Sequence, residues 1–573
     1  MVVVGSGGAG LCAAAAAARA GARVMLVTKG KAGRGNSTAY AGGGFTVAPP
    51  STAEGRRPTG DERRLAGEWR RPTGAGPAGG RFGPEEHFRR SLEVGRGLND
   101  RGLLERLCRA GTTAIAEMCR DFGVRVEWEP GGCSVSRYGR PPLQGGLGLT
   151  RPLLEYLTRA GVDVLEDTVV TDIILGGPDG RAAVGVQGVV IGGVSPAVPV
   201  VVRAAAVVVA TGGGGAVWGR TDNPPRTTGD GYRLLARAGA ALLDMEFVQF
   251  CPMGLAEPGL RATLLDLGLI DFVRLTDETG RPVLDDKLAE WGVRSGAEAN
   301  LYARDRAAVA LAREIAAGHE LYLHTEELRR LGPSDRRLTE VRRFFPPSFD
   351  PFVRPVRVAP TQHYFCGGAL IDVTGRVLGR DREPIDGLFA CGEVTGGVDG
   401  ANRVGGNALT NIVVFGLAAG EAAARYSTAR YSAVRHATAR HAEMPTARAG
   451  TPWALCVTAP PTAPGARPGE LRRELQALAD AHLGPVRSAE GLGRALDGLA
   501  RLERRVAVLA DRARAGLEPA ASEALLALEL PGAVATAAFV ARAALERRES
   551  RGVHFREDYP AEDEAWSERH VIL

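Results

Sequence analysis

The chain has 573 residues, 45% hydrophobic and 24% charged, which is too long for one hydrophobic core and typical of a globular protein with several domains. Its net charge of +5 is small for this length, and only three of its 71 basic residues are lysine, so the charge does not indicate nucleic-acid binding. The eight cysteines are scattered without a C-x-x-C pair, and we expect no iron–sulfur cluster or other metal site. No signal peptide precedes the first predicted strand, and no apolar run reaches the roughly 20 residues of a membrane helix, which favours a cytoplasmic protein.

The chain opens with a strand, a glycine-rich turn and a helix in immediate succession. Residues 1–4 are an apolar run typical of a buried parallel strand, and residues 11–20 are mostly alanine and predicted to be helical. The G-x-G-x-x-G turn between them consists of Gly5, Ser6, Gly7, Gly8, Ala9 and Gly10. Its first glycine permits a tight turn, its second lets backbone approach a pyrophosphate, and its third lets the helix pack on the strand. Because the helix N-terminus offers N–H groups to phosphates, this segment predicts a dinucleotide site.

The second predicted strand, over residues 23–27, favours a flavin over a nicotinamide cofactor. It ends in Thr28 and Lys29, where an NAD site normally has an acidic residue that binds the ribose hydroxyls. A second glycine cluster follows over residues 37–44. An NAD site has no need of it, whereas a large flavin cofactor needs backbone close along much of its length.

A third glycine cluster follows an apolar strand predicted over residues 198–210. Residues 211–215 read Thr-Gly-Gly-Gly-Gly, which predicts another close approach of backbone to the cofactor. Soon after it, residues 228–231 open a predicted helix, and Asp230 is placed either to hydrogen-bond a ligand or to cap that helix.

The glycine-rich α/β pattern is interrupted by mixed segments and then resumes, which predicts an inserted domain over the cofactor. Glycine-rich turns return at 387–393 and 400–409, and they lead into an apolar helix. A linker-like stretch from 426 to 468 and a helical region follow. The predicted domains are 1–243 and 346–425 for the two parts of the cofactor-binding domain, 244–345 for a capping domain, 426–548 for a linker and helical domain, and 549–573 for a C-terminal segment.

With these segments in order, the chain resembles the succinate dehydrogenase/fumarate reductase flavoprotein family, which includes L-aspartate oxidase. The resemblance covers nearly the whole length, and its specificity comes from nine matches in the same order. The matching segments are GSGGAG (5–10), STAYAGGG (37–44), ATGGGG (210–215), TGDGYRLLARAGAALLDMEFVQF (228–250), YARD (302–305), PTQHYFCGG (360–368), GLFACGE (387–393), GANRVGGNAL (400–409) and ESRGVHFREDYP (549–560).

The resemblance implies an α/β protein that has a Rossmann-like FAD-binding domain with an inserted α+β capping domain and a C-terminal helical domain. The implied FAD contacts, together with the third glycine cluster, are Gly5, Ser6, Gly7, Gly8, Ala9, Gly10, Lys29, Ser37, Thr38, Ala39, Tyr40, Ala41, Gly42, Gly43, Gly44, Thr211, Gly212, Asp230, Glu393, Ala408 and Leu409. Members with covalently bound flavin carry a histidine where this chain has Ser37, so we expect noncovalent FAD.

The chemistry implied by the resemblance is hydride exchange between flavin N5 and a carbon adjacent to a carboxylate. By resemblance, Arg304 is the catalytic acid/base, Arg403 clamps a substrate carboxylate and His363 hydrogen-bonds it. A bidentate guanidinium–carboxylate pair is a physical reason for arginine at the clamp. Thr263 lies where a substrate threonine is expected, and Cys251 replaces the family's substrate histidine.

Other departures from the family pattern concern the supply of protons. The Glu and Arg that relay protons to the catalytic arginine in the family correspond here to Leu264 and Leu267. We therefore weigh three functions: an FAD-dependent dehydrogenase or reductase of a small (di)carboxylate, an L-aspartate oxidase-like amine oxidation, and a flavin-binding electron-transfer subunit without dicarboxylate chemistry. Electrons would pass to an iron–sulfur partner subunit, to a quinone or to oxygen, which allows a cytoplasmic protein held at the inner membrane face through a partner.

Overall fold

The structure is a computed structural model, and it describes residues 1–50, 82–136, 145–177, 179–191, 197–332, 335–342, 345, 347–440, 467–516 and 520–573. The strands are β1 (Val2–Val4), β2 (Met25–Val27), β3 (Gly44–Thr46), β4 (Val126–Glu129), β5 (Gly132–Val135), β6 (Asp163–Leu165), β7 (Thr168–Gly176), β8 (Ala182–Val190), β9 (Val198–Arg203), β10 (Val207–Val209), β11 (Leu242–Leu243), β12 (Val248–Leu255), β13 (Leu275–Asp277), β14 (Leu321–Leu323), β15 (Val356–Phe365), β16 (Gly368–Ala369), β17 (Arg376–Leu378), β18 (Pro384–Ala390), β19 (Val486–Arg487) and β20 (Phe555–Arg556). The helices are α1 (Gly8–Arg19), α2 (Ser37–Tyr40), α3 (Pro84–Val94), α4 (Arg101–Phe122), α5 (Leu147–Arg159), α6 (Asp230–Arg237), α7 (Asp285–Glu290), α8 (Gly296–Tyr302), α9 (Arg304–Ala316), α10 (Arg336–Arg342), α11 (Asn407–Arg440), α12 (Pro468–His482), α13 (Ala489–Arg514) and α14 (Ala521–Glu546).

A six-stranded sheet with the order β17–β18–β10–β1–β2–β6 forms the centre of the protein, and only β17 runs antiparallel to its neighbour. In β1, Val3 is paired with Val208 on one side and Leu26 on the other. All three side chains are completely buried. Short runs of buried aliphatic residues are typical of parallel strands covered on both faces. The apolar run at residues 1–4 predicted such a strand.

The helix α1 packs closely against α11 because both helices carry small residues where they meet. A Cβ atom on Gly416 would lie 2.8 Å from Cys12 Cβ, and one on Gly420 would lie 2.2 Å from the carbonyl oxygen of Ala13. Ile412 of α11 reaches the glycine turn itself, within 2.4 Å of where a Cβ on Gly8 would stand. The close contact therefore brings the N-terminal turn and the start of α11 to the same edge of the sheet.

A second hydrophobic core lies apart from the first and is built between Met253 and Val358. It packs under the antiparallel sheet β12–β15–β14–β13, with α9 contacting β12 and β15. This separate core supports the predicted capping domain. Its sheet includes β15, which lies beyond the predicted limit at residue 345, and the domain boundaries remain a prediction.

The C-terminal helices α12, α13 and α14 pack on one another, and an ionic cluster joins the segment after them to the start of the capping sheet. Arg547 is completely buried and pairs with Asp244, Glu246 and Glu549. Buried charges need such partners, because an unpaired charge in a core costs several kcal/mol. The chain from Asp244 to Glu246, which leads into β12, is thereby attached to the C-terminal segment.

Two sequence expectations need correction or detail. The helix α11 continues to Arg440, so residues 426–440 of the predicted linker are helical, and residues 441–466 lie outside the described part of the chain.

Two helical segments, Asn407–Arg430 and Ala521–Glu546, are long and apolar enough to cross a membrane by length and composition. Charged residues interrupt both, and 83% and 67% of their most apolar windows are buried within the fold, which is the pattern of core helices.

Candidate functional site

A cavity of about 1010 Å³ lies along the carboxyl ends of the central strands. Val4, Val27, Ala210 and Cys391, which end or directly follow β1, β2, β10 and β18, all line it. In open α/β sheets this edge is where ligands bind, because the turns after parallel strands converge there.

Nearly all predicted site residues line this one cavity. Those predicted for the cofactor that line it are Gly5, Ser6, Gly7, Gly8, Ala9, Lys29, Ser37, Thr38, Tyr40, Ala41, Gly42, Gly43, Gly44, Thr211, Gly212, Asp230, Glu393, Ala408 and Leu409. The predicted substrate and catalytic residues that line it are Cys251, Thr263, Arg304, His363 and Arg403. Gly10 and Ala39 are not lining residues, because Gly10 lies behind the turn and Ala39 is buried in α2.

The glycines of the N-terminal turn have two different physical roles. Gly5 has φ +109°, which favours glycine, and a Cβ there would lie 2.3 Å from the carbonyl oxygen of Ala210. A Cβ on Gly10 would lie 1.9 Å from the carbonyl oxygen of Gly5, so this glycine is required for packing α1 against the turn. At Gly7, by contrast, the nearest atom to an added Cβ is Thr38 Oγ1 at 3.9 Å. Gly7 therefore leaves open space beside the N-terminus of α1, where an anion is favoured.

The cavity has the features that an extended dinucleotide with phosphates and hydroxyls requires. Gly42, Gly44, Gly212 and Gly405 line it, and a Cβ added to any of them would meet nothing within 4 Å. Space kept by glycine and not filled by the protein is what close backbone approach to a ligand needs. Among the described residues, the buried cavity-lining atoms without a hydrogen-bond partner are Thr211 Oγ1, Arg226 Nε, Arg304 Nε and Arg403 Nε. Such atoms are satisfied by a bound ligand or water, so the residues present fit FAD and an anionic substrate.

Lys29 is held by two carboxylates that the sequence places far away. Its ammonium lies 2.6 Å from Asp230 Oδ2 and 2.9 Å from Glu529 Oε1, and it donates to Thr228 Oγ1 at 2.7 Å. Burial acts to lower the pKa of Lys29, but Asp230 and Glu529 outweigh it and the pKa is raised. Asp230 is the first residue of α6 and pairs with Lys29, which gives it a structural role in addition to the predicted contact. Glu529, in α14, carried no sequence signal that could have identified it.

Glu393 is a buried carboxyl group close to the third glycine cluster. Its Oε1 accepts a hydrogen bond from the N–H of Phe365 at 3.1 Å, and a Cβ on Gly213 would lie 2.2 Å from the same oxygen. Burial raises the pKa of Glu393 to about 7 against the lowering effect of the Phe365 N–H and of Arg403. The carboxyl group of Glu393 is therefore partly protonated near neutral pH in the cofactor-free protein.

Arg304 and Arg403 form the cationic end of the cavity. Arg304, the first residue of α9, donates from Nη2 to the carbonyl oxygen of Arg403 at 2.8 Å. Arg403 donates from Nη2 to Gln249 Oε1 at 2.9 Å, and its guanidinium lies over the ring of Tyr364 at 4.3 Å. Both arginines are at least nine-tenths buried, and burial lowers the pKa of Arg304 from its usual value. Neither forms an ion pair with a described carboxylate, so both are available to an anion.

His363, Cys251 and Thr263 lie around the same end of the cavity. His363 Nδ1 lies 2.9 Å from Asp222 Oδ2, which fixes the ring, and Asn223 Nδ2 donates to the carbonyl oxygen of His363 at 2.8 Å. The sequence did not single out Asp222 or Asn223, although both lie within a few residues of the third glycine cluster. Cys251 is buried, and burial raises the pKa of its thiol to about 11, although Arg304 and Arg403 act to lower it. It therefore contributes a neutral thiol where the family pattern has a histidine.

A carboxylate that the sequence did not single out lines the cavity on its capping-domain side. Asp266 accepts from the N–H of Gly268 at 2.7 Å and from Asn300 Nδ2 at 3.2 Å, and both Asp266 and Asn300 line the cavity with Arg304. Desolvation by the surrounding protein raises the pKa of Asp266, and the charge of Arg304 acts to lower it. Leu267, in contrast, is buried in the capping core and does not line the cavity.

The sheet, the glycine turns and the cavity define an FAD-binding α/β flavoprotein. The comparisons with known proteins agree: residues 1–66 and 70–409 match the model described as FAD binding domain, and residues 472–573 match the one described as Fumarate reductase flavoprotein C-term. The chain belongs to the succinate dehydrogenase/fumarate reductase flavoprotein family, its cofactor is FAD, and it is an oxidoreductase. The predicted fold class is confirmed.

The similarity to individual relatives extends along the whole chain. The chain is 29% identical to one subunit of the fumarate reductase (CoM/CoB) of Methanothermobacter marburgensis, over 100% of this chain and 96% of the relative. It is 31% identical to L-aspartate oxidase of Streptomyces coelicolor, over 100% of this chain and 91% of the relative. Among solved structures, Sdh1 of Mycobacterium smegmatis in complex with UQ1 matches with a TM-score of 0.74 and 28% identity, covering 100% of this chain and 90% of that one.

The two roles of the turn glycines predict different effects of adding one methyl group. Gly7→Ala should leave the cofactor-free protein as stable as the wild type but lower its retention of FAD about tenfold or more, because the methyl fills cofactor space. Gly10→Ala is the matched comparison, and it should lower the free energy of unfolding by about 2 kcal/mol or more through the clash with the Gly5 carbonyl. Urea unfolding without cofactor and flavin absorbance after gel filtration measure the two effects. If Gly7→Ala retained all of its FAD, the open space beside Gly7 would not be cofactor space.

Glu393 predicts a pH dependence of stability in the cofactor-free protein. Its pKa is raised from 4.5 to about 7, so its contribution to stability is fully present below pH 4.5 and is lost as the pH rises through about 7. Between pH 5 and 8 the wild type should therefore lose up to about 3 kcal/mol more free energy of unfolding than Glu393→Gln. The exposed Glu503→Gln variant is the control and should follow the wild type. Parallel pH profiles for wild type and Glu393→Gln would show that this carboxyl is not desolvated.

Proposed function

We propose that this oxidoreductase exchanges a hydride with a small dicarboxylate at the carbon next to a carboxylate, in the manner of fumarate reductases and succinate dehydrogenases. The observation that carries the proposal is the pair of buried, carboxylate-free guanidinium groups, Arg304 and Arg403, on the cavity lined by the FAD-binding glycine turns. FAD, when bound along these turns, supplies two-electron hydride chemistry.

Arg403 is proposed to bind one substrate carboxylate. Its guanidinium is fixed by Gln249 and by the ring of Tyr364, and its Nε has no protein partner among the described residues. A pre-oriented planar guanidinium can pair with a carboxylate through two parallel hydrogen bonds, which fixes the substrate in register as well as in place. His363, which Asp222 orients, is proposed to bond the same end of the substrate.

Arg304 is proposed to hold and transfer the proton that accompanies the hydride. Guanidinium ordinarily keeps its proton in water, but burial lowers the pKa of Arg304 and makes proton transfer less costly. Asp266 is proposed to exchange protons with Arg304 across the cavity wall that they share with Asn300. This would replace the carboxylate relay whose usual positions are Leu264 and Leu267 in this chain.

Cys251 removes a hydrogen-bond partner that a histidine at this position would provide to the substrate. A histidine at this position could form a charge-assisted hydrogen bond, and its loss would weaken substrate holding by about 1.5–3 kcal/mol. Thr263, whose hydroxyl makes only a 3.5 Å contact with the carbonyl oxygen of Arg261, remains available to the substrate. We therefore propose a substrate with two carboxylates held mainly by arginine.

Two other functions remain as candidates. The 31% identity with an L-aspartate oxidase along the whole chain favours amine oxidation at the same site. Cys251, Leu264 and Leu267 favour a flavin-binding electron-transfer subunit that lacks dicarboxylate chemistry, because each removes a polar group from the family pattern. Turnover of fumarate with a reduced dye, turnover of aspartate with oxygen, and turnover of neither would distinguish the three.

We infer an electron partner from the described residues and from the relatives together. No group of three or more potential metal-binding side chains occurs in the described part of the chain, and its described cysteines are free. One relative is named as part of a larger enzyme, and a structural neighbour was solved in complex with UQ1. We propose an iron–sulfur partner protein or a quinone as electron carrier, and a cytoplasmic location at the inner membrane face through that partner.

Replacing Arg304 tests the proton-transfer role. Arg304→Gln should keep its FAD but lower kcat for fumarate reduction with a reduced dye about 100-fold or more, which is the contribution of a positioned proton donor. Asp266→Asn should lower kcat in the same direction while keeping the hydrogen bond to the Gly268 N–H. Arg306→Gln, two residues along α9 and exposed, is the control and should match the wild type. Unchanged turnover in Arg304→Gln would remove the arginine from the mechanism.

The mode of FAD attachment can be tested without turnover. Ser37 stands where covalent members have a histidine, and its hydroxyl donates to Asn223 Oδ1 at 3.0 Å. Because a serine hydroxyl in this setting has no basic nitrogen to bond the flavin, acid precipitation should release all flavin into the supernatant. Intact-mass spectrometry of the denatured chain should give the mass of the polypeptide alone, and a mass increase equal to FAD would refute noncovalent binding.

A further inference from the structure

A second cavity of about 490 Å³ adjoins the first and is lined by residues of the loop after the third glycine cluster, of the segment after β12 and of α12. Asn223, Arg261 and Ala262 line both cavities, so these residues form the wall between them. On the inner side of this wall lies His363, whose carbonyl oxygen accepts a hydrogen bond from Asn223 Nδ2 at 2.8 Å. The two cavities are therefore neighbours, and the wall that they share contacts His363, one of the proposed carboxylate-binding residues.

Three arginines from three separate parts of the chain line the second cavity. Arg220 comes from the loop after the third glycine cluster, Arg261 from the capping segment and Arg472 from α12. Arg261 donates to the carbonyl oxygen of Asp222 at 2.6 Å, and Arg472 donates to the carbonyl oxygen of Pro225 at 2.8 Å. These bonds to neutral carbonyl oxygens orient the two guanidinium groups but leave their charges uncompensated.

The acidic residues around the cavity do not neutralise these arginines. Glu257 is engaged by Arg354 at 2.7 and 2.9 Å. Asp480 accepts from the N–H of Gly219 at 3.1 Å and from the backbone N–H of Arg220, and its charge attracts the Arg220 guanidinium without forming an ion pair. Within the described residues, none of the three lining arginines forms an ion pair with a carboxylate.

Three positive charges lie around one small cavity, and their repulsion is weakened because Arg220 and Arg261 are exposed to solvent. Desolvation lowers the pKa of Arg220, the charge of Asp480 acts to raise it, and the charge of Arg357 acts to lower it. An anion with more than one oxygen donor group would relieve this repulsion and could accept bidentate hydrogen bonds from two of the guanidinium groups. Clefts with an excess of one sign of charge also raise the local concentration of oppositely charged ligands.

From this arrangement we propose that the second cavity is an outer binding site for small dicarboxylate anions, through which the substrate enters and the product leaves. The substrate class rests on the proposed function. The outer site binds with Arg220 and Arg472, and Arg261, which faces both cavities, passes the anion inward to His363 and Arg403. No residue of the outer site takes part in the hydride or proton transfer.

The test uses the FAD-loaded full chain and the double variant Arg220→Gln/Arg472→Gln. At low ionic strength the double variant should lose about tenfold in kcat/KM for fumarate, with kcat and flavin content unchanged, because only capture is affected. Raising the salt to about 0.5 M should screen the wild type and remove most of the difference. Arg23→Gln, which removes one charge at a side chain that is 94% exposed, is the control and should have no effect.

Direct binding separates this proposal from the proposed function. Succinate is titrated calorimetrically into the wild type, into Arg403→Gln, and into Arg403→Gln combined with Arg220→Gln/Arg472→Gln. Binding that persists in Arg403→Gln and disappears in the combined variant supports the outer site even if no dicarboxylate is turned over. Inorganic phosphate, titrated in the same way, should bind more weakly than succinate.

Three results would overturn the proposal. Equal kcat/KM in the wild type and the double variant at low salt would show that the arginines do not capture substrate. A fall in kcat equal to the fall in kcat/KM would place them in the catalytic site itself. Phosphate binding as tight as succinate would make the cavity a general anion site and not one for dicarboxylates.

Discussion

The burial of two guanidinium groups without a carboxylate partner is the constraint on which the rest of this site depends. Arg304 and Arg403 are nine-tenths or more buried, and removing such charges from water costs several kcal/mol unless other groups compensate. The protein compensates in part, through the carbonyl oxygen of Arg403, through Gln249 and the ring of Tyr364, and through the attraction of Asp266 and Asp305 for Arg304. The rest of this cost would be offset by a bound anion, which is why we propose the pair as a substrate-binding site.

Arg304 and Arg403 reach the same cavity from two separately packed parts of the chain. Arg304 begins a helix that packs in the capping core, whereas Arg403 lies within the glycine-rich turn that leads into α11. The hydrogen bond from Arg304 to the Arg403 carbonyl oxygen joins the two parts at the site. At the base of the capping sheet, Arg547 joins Asp244 and Glu246 to the C-terminal segment. The capping part is thus attached to the rest of the protein by polar contacts at two places.

Positively charged side chains line both cavities, from the outer one to the inner one. Arg220, Arg261 and Arg472 face the outer cavity, and Arg304 and Arg403 face the inner one. At the far end of the inner cavity the positive charge of Lys29 is offset by Asp230 and Glu529. Arginines without ion pairs therefore lie where we propose that a dicarboxylate enters and binds, whereas the charge of Lys29 is neutralised by the protein itself.

The sequence by itself determined the cofactor-binding half, because strand, glycine turn and helix are local features whose physical causes act within a few residues. Gly5, Gly7 and Gly10 could be read in this way, as could the family-specific positions of Arg304 and Arg403. Only the tertiary structure revealed Glu529 beside Lys29, Asp266 beside Asn300, and the convergence of three arginines on the outer cavity. These contacts join residues from separate segments, and no periodicity or spacing records which distant side chains a fold brings together. The continuation of α11 to Arg440 was missed for the opposite reason: weak local periodicity suggested a linker where the structure forms a helix.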